Sequence, residues 1–381
     1  MGGIQIFSRF FIRSVGDCFP NADLTVLSKN DTSFPALPRR VGRTVFDGAG
    51  WWPAPFRTPA FTCQLLARAV AKRPDLILTT HVNFTPAACW LKSMVGAPYA
   101  AVAHGIDVWG TPRRGLGPGL RRADRIFAVS SYTRQKLLAQ FKLEPERVAV
   151  LPNTVDSDSF RPAAKPRYLL KRFGLQPNQP VILTIARLAS AERYKGYDQI
   201  LHALGTIRGS VPNVRYILAG RGPDRPRVEA LVRELDLTES VTLAGYVPDH
   251  ELCDFYNLCD VFAMPSKGEG FGIVFLEALA CGKPVLAGNK DGSVDALLGG
   301  ALGVLIDPDN ISQIAENLVA MLKGVHSLRV LRQPAELRAR VITAYGYERF
   351  VSTVADNLGE LGFRPKSLDS MERNVATVSC K

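Results

Sequence analysis

The chain has 381 residues, of which 46% are hydrophobic and 22% charged, and a formal net charge of +12. This length exceeds one typical hydrophobic core, so we expect two domains. Every apolar run falls short of the about 18 residues that a membrane-spanning helix needs, and the 7 cysteines include no C-x-x-C pair. Together with the lack of a cleavable apolar leader, these features predict reduced thiols and a cytoplasmic protein.

Short β-branched or apolar runs alternate with helical patterns along most of the chain. The first predicted strands cover 24–28, 76–80, 99–104, 125–130 and 148–152. After a charged, proline-containing segment, further strands are predicted at 180–187, 214–220, 241–245, 261–266, 284–288 and 303–307. Strands that alternate with helices in this way predict an α/β fold with parallel sheets that are covered on both faces.

The basic residues are concentrated in the N-terminal half. Residues 1–150 contain 20 Lys and Arg against 9 Asp and Glu, a net charge of +11, which leaves 27 against 26, or +1, for the remainder. The densest segment is "TPRRGLGPGLRRADR" at 111–125. Such basicity is typical of binding to nucleic acid, an anionic bilayer or a phosphorylated acceptor, or of a merely solvated face. Nucleic acid is disfavoured because no recognition motif accompanies the arginines.

Contact with an anionic membrane is the interpretation that the aromatic residues favour. Trp51, Trp52, Phe56 and Phe61 occur next to basic residues, and "PAFTCQLLARAVAKRP" at 59–74 predicts an amphipathic helix. Aromatic rings settle at the lipid headgroup level, and a helix of this kind could lie in the interface. Packing of the same helix on its own sheet remains an open interpretation.

Distinctive residues stand at or shortly after the ends of several predicted strands. They are His104, Asn153, Arg187, the turn at 220–223 and Glu269. Ligands of open parallel sheets bind beyond the carboxyl ends of the strands. Two sheets with these ends facing one another would therefore form a deep cleft.

The segment "PSKGEGFGIVFLEALACGKPV" at 265–285 combines glycines with the start of a helix. Gly268, Gly270 and Gly272 allow a backbone to pass close to a ligand, and free N–H groups at the helix start favour an anion. Arg187 and Lys195 also follow a strand end and could hold a diphosphate. Each feature alone is explained as well by a tight turn or by surface charge.

Two carboxylates flank the start of this helix. Glu269 lies in the loop and Glu277 stands eight positions later. At about 1.5 Å per residue this spacing covers at most roughly 12 Å, whereas the paired carboxyls of glycosidases lie about 5 to 9.5 Å apart. The spacing therefore favours two hydroxyl-bearing parts of one extended ligand, such as a sugar and a ribose joined by a diphosphate.

Further motifs accompany this loop along the chain. They are "GGIQIF", "LPNTVDSDSF", "ARLASAERYKGYDQIL", "ILAGRGPDRPRVEAL" and "AGYVPDHELCDFYNLCDVFAMPS". With the E-x₇-E segment, they make the chain resemble the family-4 retaining glycosyltransferases of GT-B fold, such as those of exopolysaccharide and O-antigen assembly, from Gly2 to about residue 361. The resemblance implies two Rossmann-like domains whose parallel sheets face a central cleft, and a retaining, metal-independent transfer from a nucleotide sugar.

The resemblance also implies roles for individual residues. Glu277 would bind the ribose hydroxyls, and Glu269 the 3- and 4-hydroxyls of the donor sugar. Arg187 and Lys195 would hold the diphosphate and stabilise its charge as the glycosidic bond breaks. His104 would lie beside the donor sugar and completes the expected catalytic set with Arg187, Lys195 and Glu269. The expected donor-binding residues, besides Glu277, are Gly2, Gly3, Asp107, Asn153, Gly270, Phe271 and Gly272.

The domains implied by the resemblance are an acceptor-binding domain at 1–160 and a nucleotide-sugar-binding domain at 161–344. A helix at 345–363 would cross back to the N-terminal domain, and 364–381 would form a flexible tail. Family members begin with a hydrophobic strand, whereas this sequence starts at Met1, Gly2 and Gly3. We therefore expect the N-terminal sheet to lack its first strand.

The resulting hypothesis is the transfer of mannose or glucose from a nucleotide-diphosphate sugar to a lipid-linked or polysaccharide acceptor. GDP-mannose and UDP-glucose are the leading donors, and the enzyme would be cytoplasmic and peripheral at the inner face of the plasma membrane. No metal or other cofactor is expected, because the "DSD" at 156–158 falls in the family's interdomain segment. The alternative, which a missing strand favours, is an inactive paralogue that binds sugar nucleotides, or an N-terminally truncated, non-catalytic form.

Overall fold

The structure, a computed structural model, describes residues 2–32, 44–110 and 115–364, which fall into two units. The N-terminal unit comprises Gly2–Ala128, Arg134–Leu151 and the residues from Glu348 onward. The C-terminal unit comprises Val129–Thr133 and Pro152–Tyr347. Arg113 and Arg114 of the predicted basic segment, and the predicted tail beyond residue 364, lie outside the described residues.

The chain up to residue 151 forms two parallel sheets within the described residues. Its elements are α1 (Gly3–Cys18), β1 (Leu24–Ser28), β2 (Thr44–Gly48), α2 (Ala54–Lys72), β3 (Ile77–Thr79), α3 (Thr85–Val95), β4 (Tyr99–Ala103), α4 (Leu116–Arg122), β5 (Arg125–Ala128), α5 (Ser131–Phe141) and β6 (Val148–Val150). β1 pairs with β2, and the other strands form a sheet in the order β3-β4-β5-β6. All five residues of β4 are buried, as expected for a strand covered on both faces.

Among the described residues, no strand joins the β1–β2 pair to β3 of the four-stranded sheet. The residues from Gly3 to Cys18 form a helix, and its Phe7 and Phe11 are each 1% exposed. In the described part of the chain, the N-terminal unit therefore has two separate sheets. This arrangement agrees with the expectation that a first central strand is missing.

The C-terminal unit contains one six-stranded parallel sheet. Its elements are α6 (Arg167–Phe173), β7 (Val181–Ile185), α7 (Tyr197–Ser210), β8 (Arg215–Ala219), α8 (Arg225–Glu234), β9 (Val241–Gly245), α9 (Leu252–Leu258), β10 (Val261–Met264), α10 (Ile273–Ala280), β11 (Val285–Gly288), α11 (Ser293–Ala296), β12 (Val304–Ile306), α12 (Ile311–Leu322) and α13 (Pro334–Tyr345). The strand order is β12-β11-β10-β7-β8-β9. Because the order reverses between β10 and β7, the loops after these two strands flank the crevice where open sheets bind ligands.

The core of the C-terminal unit explains the helical patterns in its sequence. Ile200 and Leu204 of α7 pack in one cluster with Ile314 and Leu318 of α12 and with Leu218 of β8. Each pair is four residues apart and therefore lies on one helix face. The two amphipathic helices thus cover the sheet that carries the candidate site.

The last helix, α14 (Tyr347–Gly359), packs on the N-terminal unit. The Phe350 ring contacts the Phe7 ring edge-on, with the centroids 5.7 Å apart. Arg125 Nη2 donates a hydrogen bond of 3.0 Å to Asn357 Oδ1. The helix predicted from residue 345 begins two residues later, because Tyr345 ends α13.

The predicted α/β fold, with two domains and parallel sheets, is confirmed. All of the predicted strands are present with slightly narrower or equal bounds, whereas β2 was not predicted. In the described part of the chain, every helix is too short or too polar to cross a bilayer.

Candidate active site

The loop between β10 and α10 holds the first predicted carboxylate against a lysine. Lys195, at the end of the loop that follows β7, forms an ion pair with Glu269. The two side chains are only 16% and 14% exposed. The reversal of strand order therefore brings together two residues that are 74 positions apart in the sequence.

The glycines of this loop are needed for its packing. Gly272 has φ +93°, and a Cβ atom there would lie 2.4 Å from the Phe275 ring. A Cβ on Gly268 would lie 2.7 Å from the Tyr194 ring. Gly270, also predicted to bind the donor, lies between them, with its carbonyl oxygen 2.1 Å from the position of a Cβ on Gly292. Glycine at 268 and 272 is thus explained by the fold alone.

Phe271 anchors the loop that leads into α10. Its side chain is 2% exposed, and its ring contacts the Tyr345 ring edge-on, with the centroids 5.4 Å apart. The predicted role of Phe271 uses only its backbone N–H group. The buried ring fixes the position of that group at the helix start.

Asp291, which was not predicted as a site residue from the sequence, binds the backbone of Glu269. Its Oδ2 accepts a hydrogen bond of 2.7 Å from the Glu269 N–H and one of 2.8 Å from the Ser266 hydroxyl. Its Oδ1 accepts a hydrogen bond of 2.9 Å from the Ser293 N–H. The Gly292 N–H donates to the Glu269 carbonyl at 2.9 Å. Asp291 therefore positions the loop, and burial raises the pKa of its carboxyl.

Glu277 lies inside α10 and is 5% exposed. The Tyr256 hydroxyl donates a hydrogen bond of 2.6 Å to its Oε2. Burial raises the pKa of Glu277 to about 7, although the bond from Tyr256 opposes this effect. A buried carboxylate with few donors retains capacity to accept bonds from ligand hydroxyls.

Arg187 is placed differently from Lys195. Its side chain is 80% exposed and pairs with Glu192 at 2.5 Å in the same loop after β7.

Asn153 lies three residues after the end of β6 and is 7% exposed. Its buried Oδ1 atom has no hydrogen-bond partner among the described residues. Asn153 therefore offers an acceptor that a ligand could satisfy.

The turn at 220–223 supports the loop after β7. A Cβ on Gly220 would lie 1.7 Å from the Ala186 carbonyl oxygen, and one on Gly222 would lie 2.0 Å from that of Leu188. The Leu188 N–H donates to the Arg221 carbonyl at 3.1 Å. These glycines allow two loops to pack backbone to backbone beside Arg187.

The far end of α10 is fixed by Arg338 of α13. Its Nη1 donates to the carbonyl oxygens of Ala280 at 2.6 Å and Phe160 at 2.5 Å, and its Nη2 donates to that of Ser157 at 2.7 Å. Carbonyl groups in the last turn of a helix have no partner within the helix. Arg338 satisfies one of them and places a positive charge at the negative end of the helix dipole.

His104 and Asp107 lie in the N-terminal unit, after β4. Asp107 accepts hydrogen bonds of 3.0 and 3.2 Å from the His104 N–H, and His104 Nε2 lies 2.8 Å from the Thr80 carbonyl oxygen. Burial lowers the pKa of His104 to about 4. A neutral ring that donates from Nε2 to Thr80 leaves Nδ1 as an acceptor.

Gly2 and Gly3 also belong to the N-terminal unit, at the start of α1. Gly2 is the N-cap of this helix, and its N–H donates a hydrogen bond of 2.6 Å to Gln5 Oε1. His81, which the sequence reasoning missed, lies near His104, with the ring centroids 6.3 Å apart.

The predicted residues are divided between the two units, with Gly2, Gly3, His104 and Asp107 in the N-terminal unit. Within the C-terminal unit, Lys195, Glu269, Gly270, Phe271, Gly272 and Glu277 lie on or next to the loop that begins α10, and Arg187 lies on the adjacent loop. The missed residues Tyr256 and Asp291 contact this set directly.

Among residues 2–32, 44–110 and 115–364, no three His, Cys, Asp or Glu side chains form a group suited to a metal ion. Asp156 of the "DSD" sequence instead closes a turn. Its Oδ1 accepts hydrogen bonds of 3.1 Å from the N–H groups of Asp158 and Ser159.

Two family models match the two halves of the chain. The model described as Glycosyltransferase Family 4 matches residues 20–159, and the model described as Glycosyl transferases group 1 matches residues 169–338. The chain belongs to the family-4 glycosyltransferases. The resemblance read from the sequence motifs is thereby confirmed.

One similar protein matches part of this family-4 glycosyltransferase. A protein of Mycobacterium tuberculosis, named GDP-mannose-dependent alpha-(1-6)-phosphatidylinositol monomannoside mannosyltransferase, is 31% identical over 252 residues, which are 64% of this chain and 63% of that protein. The chain therefore spans less than two thirds of this relative's length.

Solved structures share the fold over nearly the whole chain. Sucrose-phosphate synthase from Thermosynechococcus elongatus has a TM-score of 0.76 at 20% identity and covers 95% of this chain and 94% of its own. Anabaena HepE in complex with UDP-glucose has a TM-score of 0.74 at 18% identity, with 94% and 96% covered. At these identities the likeness establishes the GT-B fold alone.

Proposed function

We propose that this family-4 glycosyltransferase transfers a hexose from a nucleotide-diphosphate sugar, with retention of configuration and without a metal ion. The observation that carries the proposal is the placement of Lys195, Glu269 and Glu277 around α10, where the strand order of the sheet reverses. A cation near a helix start suits a diphosphate, and one carboxylate in the loop before the helix with a second inside it suits the hydroxyls of a hexose and a ribose.

The charges of the site suggest how the leaving group would be stabilised. Lys195 is held by Glu269 in a mostly buried ion pair, so little reorganisation is needed before it faces a diphosphate. The N–H groups at the start of α10 would add their partial positive charge. Arg187, which is 80% exposed, would exchange its ion pair with Glu192 for contacts with the same phosphates. These groups would supply the positive charge near the diphosphate that a divalent cation supplies in a metal-dependent transferase.

Mannose is the favoured sugar and GDP-mannose the favoured donor. The support is the relative of Mycobacterium tuberculosis, whose name states that it depends on GDP-mannose. UDP-glucose is the competing donor. The same name specifies a phosphatidylinositol-based acceptor, which supports a lipid-linked acceptor here over a free polysaccharide.

An anionic membrane at the cytoplasmic face is the proposed location of the N-terminal unit. Trp51, Trp52 and Phe56 are 76%, 51% and 59% exposed at the start of α2, and Trp90 on the neighbouring α3 is 49% exposed. Exposed aromatic residues beside lysines and arginines are typical of a membrane interface. Phe61, which was predicted to join them, is instead 8% exposed and packs against Phe84, with the ring centroids 5.3 Å apart.

Two variants test the different roles that the proposed function gives to Glu277 and Glu269. Glu277→Ala should weaken binding of GDP about 10- to 150-fold, because hydrogen bonds to a charged group contribute about 1.5–3 kcal/mol. Glu269→Ala should leave GDP binding nearly intact and lower turnover, because only the donor carries the hexose. Calorimetric titration with GDP and transfer from GDP-mannose or UDP-glucose would be measured for both variants.

Equal losses of GDP affinity in the two variants would contradict this assignment. A ligand that binds only the folded protein raises its apparent stability, so a thermal-shift screen of nucleotide sugars would identify the donor. Binding of a nucleotide sugar with neither transfer nor hydrolysis would instead support the non-catalytic alternative.

A further inference from the structure

Two cysteine thiols are in contact next to α10. Cys253 lies on α9 and is partly buried, whereas Cys281 directly follows α10 and is 1% exposed. Their Sγ atoms are 3.9 Å apart. A disulfide requires about 2.05 Å between the sulfurs, so rotation of the side chains and a small helix displacement must close about 2 Å.

The surroundings of the pair assign different roles to the two sulfurs. The hydrogen bond with Cys281 lowers the pKa of Cys253 to about 6, while partial burial and the charge of Asp254 oppose this effect. The same hydrogen bond and burial raise the pKa of Cys281. Cys253 is also the partly exposed sulfur of the pair, so a dissolved oxidant reaches it first, whereas the buried Cys281 is placed to resolve the product.

A third cysteine nearby is not equivalent. Burial raises the pKa of Cys259 to about 12, and its Sγ donates to the Tyr256 carbonyl oxygen at 3.2 Å. The reactive site is therefore limited to Cys253 and Cys281 among the cysteines around α9.

We propose that Cys253 and Cys281 form a redox-active pair that a hydroperoxide converts into a reversible disulfide. The Cys253 thiolate attacks one peroxide oxygen and breaks the O–O bond, which gives a sulfenic acid and, with hydrogen peroxide, one water after protonation. The Cys281 sulfur then displaces the sulfenic oxygen as a second water and forms the S–S bond. The thiols lose two electrons in total, and the peroxide gains them.

The disulfide would act on the nucleotide site, a step that rests on the proposed function. Cys253 and Tyr256 are three residues apart on α9, and Glu277 and Cys281 are four apart along α10, so each pair lies on one helix face. The sulfur contact and the bond of 2.6 Å from Tyr256 to Glu277 therefore lie side by side between the same two helices. Drawing the sulfurs together displaces Glu277 relative to Tyr256 and should weaken nucleotide binding.

Peptide mapping of the full-length protein tests the chemical step. After brief treatment with hydrogen peroxide and blocking of free thiols, we expect a peptide that links Cys253 to Cys281, and its loss on treatment with dithiothreitol. Cys253→Ser should abolish the link, whereas Cys63→Ser, at an exposed cysteine of the N-terminal unit, should retain it. Free thiols at both positions in oxidised wild type, or a link that forms equally to other cysteines, would overturn the proposal.

Calorimetric titration with GDP tests the effect on the site. We expect oxidised wild type to bind GDP more weakly than reduced protein, and dithiothreitol to restore the affinity. Cys253→Ser should show one affinity under both conditions. Equal affinity of the mapped disulfide form and the reduced form would refute the coupling. Failure of reduced wild type to bind any nucleoside diphosphate would refute the proposed function instead and leave the disulfide mapping as an independent result.

Discussion

Glu277→Gln is expected to stabilise the C-terminal unit above pH 7 while it weakens nucleotide binding. Burial raises the pKa of the Glu277 carboxyl from 4.5 to about 7. A carboxyl whose pKa is higher in the folded than in the unfolded protein binds more protons in the folded state between these values. The free energy of unfolding therefore falls as the pH rises from 4.5 to about 7. Above that range the free energy of unfolding is lower by the full amount, about 3 kcal/mol.

The glutamine variant carries no charge that burial penalises. Its amide oxygen can still accept the hydrogen bond from the Tyr256 hydroxyl. We expect wild type and variant to be about equally stable near the lower end of the range, and the variant to gain up to about 3 kcal/mol at about pH 8. For a unit of about 200 residues, 1 kcal/mol changes Tm by about 2–4 °C, so the gain is roughly 6–12 °C.

Differential scanning calorimetry at several pH values from about 5 to 8 would measure this difference. Because a chain with two units does not unfold in one step, the relevant transition is the one that added GDP shifts in wild type. Glu316→Gln, at an exposed position of α12, provides a control that should change Tm little at any pH. A Glu277→Gln variant that is less stable than wild type at about pH 8, or whose gain is the same at pH 5 and 8, would refute the reasoning.

Four further outcomes are expected. Asp291→Asn should lower turnover about tenfold and leave GDP affinity nearly unchanged, because it weakens the contact with the Glu269 N–H; a loss confined to GDP affinity would contradict its positioning role. The His104 imidazole should show no titration by NMR between about pH 6 and 8, because its pKa is lowered to about 4; a midpoint in that range would show the assignment to be wrong. Transfer activity should persist in excess chelator, and a loss that magnesium or manganese restores would disprove metal independence. Replacing Trp51 and Trp52 by serine should reduce sedimentation with anionic vesicles and preserve GDP binding; unchanged sedimentation would contradict the membrane proposal.

The sequence predicted the fold well because buried parallel strands leave a simple pattern. Strands such as "YAAVA" at 99–103 are buried at every position, and polar residues follow directly at their carboxyl ends. β2 escaped prediction because "TVFDG" at 44–48 contains an acid and a glycine. These two residues leave only a short apolar run, so the sequence resembles that of a loop.

The site was predicted less completely because its contacts depend on packing between elements. Lys195 and Glu269 each follow a strand, and the strand order brought them together. Asp291 also follows a strand, so the same rule would have found it. Tyr256 gave no such signal, because its bond to Glu277 depends on how α9 packs against α10.

Arg338 determines how the C-terminal unit should be separated from the rest of the chain. Its guanidinium joins the end of α10 to the carbonyl groups of Ser157 and Phe160. A fragment that begins at residue 161 would leave this charged group with fewer partners and the last turn of α10 less firmly held. A fragment intended for nucleotide titration or crystallisation should therefore start before Ser157, so that the helix that carries Glu277 keeps its terminal anchor.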